Sequence, residues 1–151
     1  PSTAAPDALD PTLQSVQRIA LSNGYDSFIM FNVYAQRATR PNDMDAALNE
    51  RLHAENMAAF RYVLEASLPR RPAVWAAWGN IIEMQQYLPR CVSDMIAVGE
   101  EFCAEWFTAG KRSVKGHPHH PLYLRRDTPL DPFDVKNYID ILEGRTHHAE
   151  L

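Results

Sequence analysis

Cysteine, glycine and long apolar stretches are all scarce in this chain of 151 residues, which holds 2 Cys and 6 Gly. Cys91 and Cys103 are too few for the disulfide framework that staples small secreted domains, and they lack the close Cys-x-x-Cys spacing of a zinc site. No stretch approaches the ~20 apolar residues that a membrane-spanning helix needs, and no secretory leader pattern is present. No membrane partner is therefore expected, and the expected location is cytoplasmic. Basic residues are outnumbered, 15 Lys and Arg against 19 Asp and Glu, for a net charge of -4. Such a balance exerts no global pull on nucleic acid or anionic lipid, so a polyanion would have to meet a local basic patch. There is no Gly-x-Gly-x-x-Gly and no Walker lysine, which argues against dinucleotide and P-loop phosphate cradles.

What is present suits one core. At 46% hydrophobic composition the chain fits a single domain, expected over residues 1–144 with a frayed tail over 145–151. Pro1 already lies in what reads as a functional loop, so the domain is expected to lack its N-terminal strand. Asp10-Pro11-Thr12 reads as N-cap, N1 proline and first turn of a helix that carries Leu13, Val16, Ala20 and Leu21 to an Asn23-Gly24 stop. Residues 27–35 are almost wholly apolar and predict a strand buried on both faces, interrupted by Asn32. Helical spacing resumes at Pro41 and runs, as one helix or two, until Pro69. Residues 73–78 predict a second buried strand ended by Gly79, and a helix with Pro89 in its first turn should carry Val92, Met95, Ile96, Phe102 and Cys103 inward. A third strand is expected over 105–109, a long loop over 111–126 with a short strand at 122–124, and a final helix capped by Asp131-Pro132 and ended by Gly144. Helices alternating with buried strands indicate an α/β fold of three layers, α/β/α, with a mostly parallel central sheet.

Candidate functional residues gather where apolar runs give way to turns, the places where an open α/β sheet sets its ligand-binding loops. Asn32 carries two donors and a carbonyl suited to a base edge, or else bonds to loop backbone. Arg37 and Thr39 follow it, a guanidinium fork and a hydroxyl able to bind phosphate, although Arg37 is equally able to pair with Asp43 or Asp45. Ser2 and Thr3 offer hydroxyls to the same anion. Trp78 and Gly79 end the second apolar run, with Trp78 either core or pocket wall. His120 sits between Pro118-His119 and Pro121-Leu122-Tyr123, where stiff backbone holds the imidazole at a defined angle for donating to a carbonyl or a developing anion. Pro121 and Tyr123 would complete that wall. Lys111, Arg112, Lys115, Arg125 and Arg126 stand with no acid before Asp127 and read as a phosphate-binding rim or as an ordinary solvated loop. His117, His119 and His120 raise a zinc-hydrolase alternative, but adjacent histidines in extended chain point apart. No metal and no cofactor is expected.

Taken in order, Pro1-Ser2-Thr3-Ala4, Asp10-Pro11-Thr12, Asn32, Arg37-Ala38-Thr39, Asn56, Ala77-Trp78-Gly79 and His120-Pro121-Leu122-Tyr123-Leu124 resemble a family of unknown function common in bacteria and phages. A more distant resemblance is to the uracil-DNA glycosylase superfamily, which shares the order of a Pro-containing first loop, a strand ending in Asn, a strand ending in Trp-Gly and a final His-Pro loop. That resemblance implies a glycosylase-like fold, Asn32 as the base-reading residue, His120 as the histidine of the last motif, and a first loop at Pro1 or Ser2 that controls the attacking water. Leu122-Tyr123 departs from the Ser-Pro usual in those enzymes. The function it implies is binding of a nucleobase, nucleotide or nucleic acid, with hydrolysis of an N-glycosidic bond as its enzymatic form. The alternative is a non-catalytic phage or host-defence module that binds nucleic acid or a partner protein.

Overall fold

The computed structural model describes residues 11–34 and 47–149. Helix α1 (Pro11–Ser22) ends where Gly24 takes a left-handed φ of 90°, the conformation that glycine reaches without a Cβ clash. Helix α2 (Glu50–Ala66) starts on Asn49, whose side chain accepts the Leu52 N–H at 3.1 Å. Strand β1 (Ala73–Trp75) leads through a 3-10 turn (Gly79–Glu83) into α3 (Leu88–Glu101), with a proline in its first turn. Strands β2 (Glu105–Ala109) and β3 (Leu130–Pro132) follow, and α4 (Val135–Ala149) closes the order.

The fold is mixed helix and sheet. The sheet of the described residues has three strands in the order β1-β2-β3. Val74 stands opposite Trp106 in the parallel pair β1 and β2, and Thr108 opposite Asp131 in the antiparallel pair β2 and β3. It is therefore a mixed sheet, not a mostly parallel one. Helix α3 packs against both α2 and α4. Phe60 and Leu64 from α2, Leu88, Val92, Met95 and Ile96 from α3, and Val135, Tyr138, Ile139 and Leu142 from α4 share one core with Trp106 of β2. A Cβ on Gly99 would lie 2.9 Å from the Trp106 ring, so glycine is what lets α3 seat on β2.

Several expectations are corrected. Residues 27–34 form no strand; Ile29 is 66% exposed and Met30 48%. An apolar run becomes a strand only where a neighbouring backbone takes its N–H and C=O groups, and no strand pairs with it among the described residues. The second strand stops at Trp75, and Ala76 adds a single further bond to Phe107. Residues 122–124 form no strand, and Leu122 and Tyr123 make a turn in which Tyr123 has φ 64°. Asp131 and Pro132 belong to β3, and the cap of α4 is Asp134, whose carboxylate accepts the Asn137 N–H at 3.1 Å. Gly144 does not end α4, because a lone glycine costs a helix only about 1 kcal/mol. Cys103 is exposed just beyond α3. The helical pattern from Pro41 is described only from residue 47, and Asp10 lies outside the described residues.

Candidate functional site

Among the described residues strand β1 pairs with β2 alone, and β1 and the apolar segment 27–34 both line a cavity of about 830 Å³. That volume falls in the range of small-molecule sites, about 300–1,000 Å³. Its wall is chiefly aromatic and aliphatic, with Phe28, Phe31, Trp75 and Trp78 among the linings, and both Asn32 and His120 line it. Asn32 is exposed, so no buried-amide penalty applies; its backbone carbonyl accepts the Asn56 side-chain N–H at 2.9 Å. The Asn32 side chain has no hydrogen bond to the described residues. Trp75 carries a further donor, an indole Nε1–H that is buried without an acceptor among the described residues. A buried donor left so costs about 1–3 kcal/mol, which a ligand acceptor would recover.

The His120 loop is fastened at three points. The Gly79 N–H donates to the Pro118 carbonyl at 3.0 Å, joining the Trp78-Gly79 turn to the histidine loop. Gly79 has φ 61°, and a Cβ there would sit 3.6 Å from that of His120, so the close approach uses a left-handed residue. The hydroxyl of Ser15, buried on α1, donates to the Pro121 carbonyl. Finally, the Leu122 N–H donates to His120 Nδ1 at 3.2 Å. A ring nitrogen that accepts carries no proton, so the imidazole proton sits on Nε2. Partial desolvation first, and His119 second, hold the His120 pKa below the ordinary histidine value. His120 is thus a neutral Nε2–H donor at the cavity rim.

Of the other expected site residues, Trp78 and Pro121 line the cavity. Tyr123 stands 97% exposed and away from it. Ser2, Thr3, Arg37 and Thr39 lie outside the described residues. Lys111 and Arg126 are exposed; Arg112 lies over the Phe133 ring; Lys115 pairs with Glu83 at 3.3 Å and Arg125 with Asp127 at 3.6 Å. The three histidines do not converge on a metal: no group of three metal-ligating side chains is assembled among the described residues. His119 instead donates to the His120 carbonyl.

Two side-chain networks, one buried and one half-exposed, carry little signal in the sequence. The Trp78 Nε1–H donates to the Tyr138 hydroxyl at 2.9 Å, and that hydroxyl lies 2.7 Å from Nδ1 of His117, a residue with no exposed surface. Indole is a donor only, so the Tyr138 oxygen accepts from Trp78 and shares a second hydrogen bond with the His117 ring. His117 Nε2 lies 3.4 Å from Glu83 Oε1. Burial pushes the Glu83 carboxyl up, but hydrogen bonds from Lys115 and His117 outweigh it and leave its pKa below the ordinary value. Between α2 and α3, buried His53 meets Asp94 at 2.7 Å, beside a paired Arg90 and Glu50. The only local signal for the first network was a histidine wedged between Gly116 and Pro118.

A family model described as "Protein of unknown function (DUF1643)" matches residues 1–122. No curated protein and no solved structure matches the chain.

Proposed function

The chain belongs to the DUF1643 family, whose function is unknown, and from its geometry we propose that the large cavity binds a nucleobase, free or within a nucleotide or nucleic acid. The observation that carries this reading is that Asn32 and His120 line one cavity whose remaining wall is largely aromatic. A planar heterocycle stacks on such walls, while the Asn32 amide offers a donor and an acceptor to its edge and His120 Nε2–H meets a carbonyl oxygen. The glycosylase-like, three-layer arrangement belongs to the same proposal, with residues 27–34 in the place of the base-reading segment.

The enzymatic form is hydrolysis of an N-glycosidic bond. Water adds its oxygen to C1′ as the bond from C1′ to the base nitrogen breaks, His120 Nε2–H stabilises the charge left on the departing base, and the proton that the water sheds ends on that base. Ser2 keeps the role of orienting that water as an expectation. Calorimetric titration with free bases and nucleosides, together with release of free base from DNA carrying uracil or modified bases, tests both forms. Saturable binding weakened about tenfold or more by Asn32→Ala is the expected result. Absence of binding across the series sinks the base pocket, and binding without turnover sinks only the enzyme.

A second reading rests on the exposure of Lys111, Arg125 and Arg126. In it the chain is a non-catalytic module, of phage or host-defence type, that holds nucleic acid or a partner protein on its basic segment. Salt-sensitive binding lost on neutralising Arg125 and Arg126, yet indifferent to Asn32→Ala, would select it.

A further inference from the structure

A second concavity, of about 120 Å³, opens beside α4 and shares no lining residue with the large cavity. Arg112, Lys115 and Gly116 line it from the basic segment, and Asn137, Tyr138 and Ile141 line it from α4. The Arg112 guanidinium lies 5.5 Å from the centroid of the buried Phe133 ring. A cation held over a ring face makes no hydrogen bond to it, so the guanidinium N–H groups can still donate to a planar or tetrahedral oxyanion. No carboxylate pairs with Arg112 among the described residues.

Lys115 and Gly116 are placed by a tight turn. The Gly116 N–H donates to the Ser113 carbonyl at 2.8 Å, the Ser113 N–H to the His117 carbonyl at 3.0 Å, and the His117 N–H to Ser113 Oγ at 3.1 Å. His117 in turn is locked against Tyr138, so the turn is anchored in the core. The Asn137 side chain stands exposed in the first turn of α4, with its backbone N–H already used by Asp134.

We propose that this concavity binds a terminal phosphoryl group, as inorganic phosphate or a phosphomonoester, held by Arg112 and Lys115 with the Asn137 amide at its edge. Two cations match the charge of a phosphate near -2, and the guanidinium fork matches its oxygen spacing. The space is below that of small-molecule pockets, so it admits the end of a ligand and excludes a base or sugar. Glu83 pairs with Lys115 at 3.3 Å, and that pairing competes with the incoming anion.

The test is titration of inorganic phosphate into the full chain at low ionic strength, followed by backbone amide NMR. Saturable shifts centred on Gly116 and Asn137 are expected. Arg112→Gln weakens binding about tenfold or more, whereas Glu83→Gln, which removes the competing charge, tightens it. Opposite signs at two neighbouring positions separate a binding role from a merely structural one. Glycerol phosphate reproduces the shifts, which assigns the site to the phosphoryl group; competition only by an oligonucleotide without terminal phosphates overturns that assignment. Shifts that never saturate, or an Arg112→Gln variant that binds like the parent, overturn the site. Asn32→Ala leaves phosphate binding intact, so failure here is distinguishable from failure of the base pocket.

Discussion

His120 carries a proton requirement that its own backbone enforces. The Leu122 N–H already occupies Nδ1, so a second proton on the ring would set two N–H groups against each other and break that bond. Its folded-state pKa is held below 6.5, by desolvation and by His119. The sign for stability follows: the unfolded chain takes the proton more readily, so His120 is without effect above pH ~6.5 and lowers stability as pH falls from there toward the folded value. Base binding through a neutral Nε2–H should therefore stay level from pH 8 down through 6.5 and decline only in more acidic solution. A binding curve that turns at the ordinary histidine value, or one unaltered by His120→Ala, would remove the imidazole from the contact.

Helix α1 is tied to the segment after the histidine loop at both ends. Near its start Ser15 holds the Pro121 carbonyl, and just past its end Asn23 makes three bonds: to the Ile19 and Thr128 carbonyls at 2.8 and 3.0 Å, and from the Leu130 N–H at 3.0 Å. Asn23→Ala removes all three and should destabilise the chain by about 2 kcal/mol, visible as a lower midpoint in urea, at roughly 1 kcal/mol net per bond with partial rehydration. Asn23 was legible in the sequence as a helix stop because that signal is local. The same holds for α1 itself, for β2 over Glu105–Ala109 and for the buried Tyr138, Ile139 and Leu142 face of α4, all written in nearest-neighbour spacing. Residues 27–34 were misread because strand formation depends on what lies alongside, and their composition is equally suited to lining a cavity. Asn32 and His120 stand in the sequence where apolar and turn-forming residues meet, and both line the large cavity, but the bond between Tyr138 and His117 joins residues that periodicity cannot connect.

Across the whole molecule, stability is unevenly spread. The main core joins α2, α3, β2 and α4, while the buried Val16, Ile19 and Ala20 of α1 stand outside that cluster, and Val16 and Ala20 face the large cavity. A helix held by a few side-chain bonds and one apolar strip opens at lower cost than one inside the common core. Amide hydrogen exchange should therefore be faster in α1 than in α3, and a ligand that fills the cavity should slow α1 selectively. Equal protection of the two helices would refute that ranking. The aromatic lining has a practical consequence as well. The chain contains 3 Trp, and Trp75, Trp78 and Trp106 all line the same cavity. Every indole emitter is thus stationed at one place, and the protein's native ultraviolet fluorescence is an unlabelled optical gauge of whether that space is empty or filled.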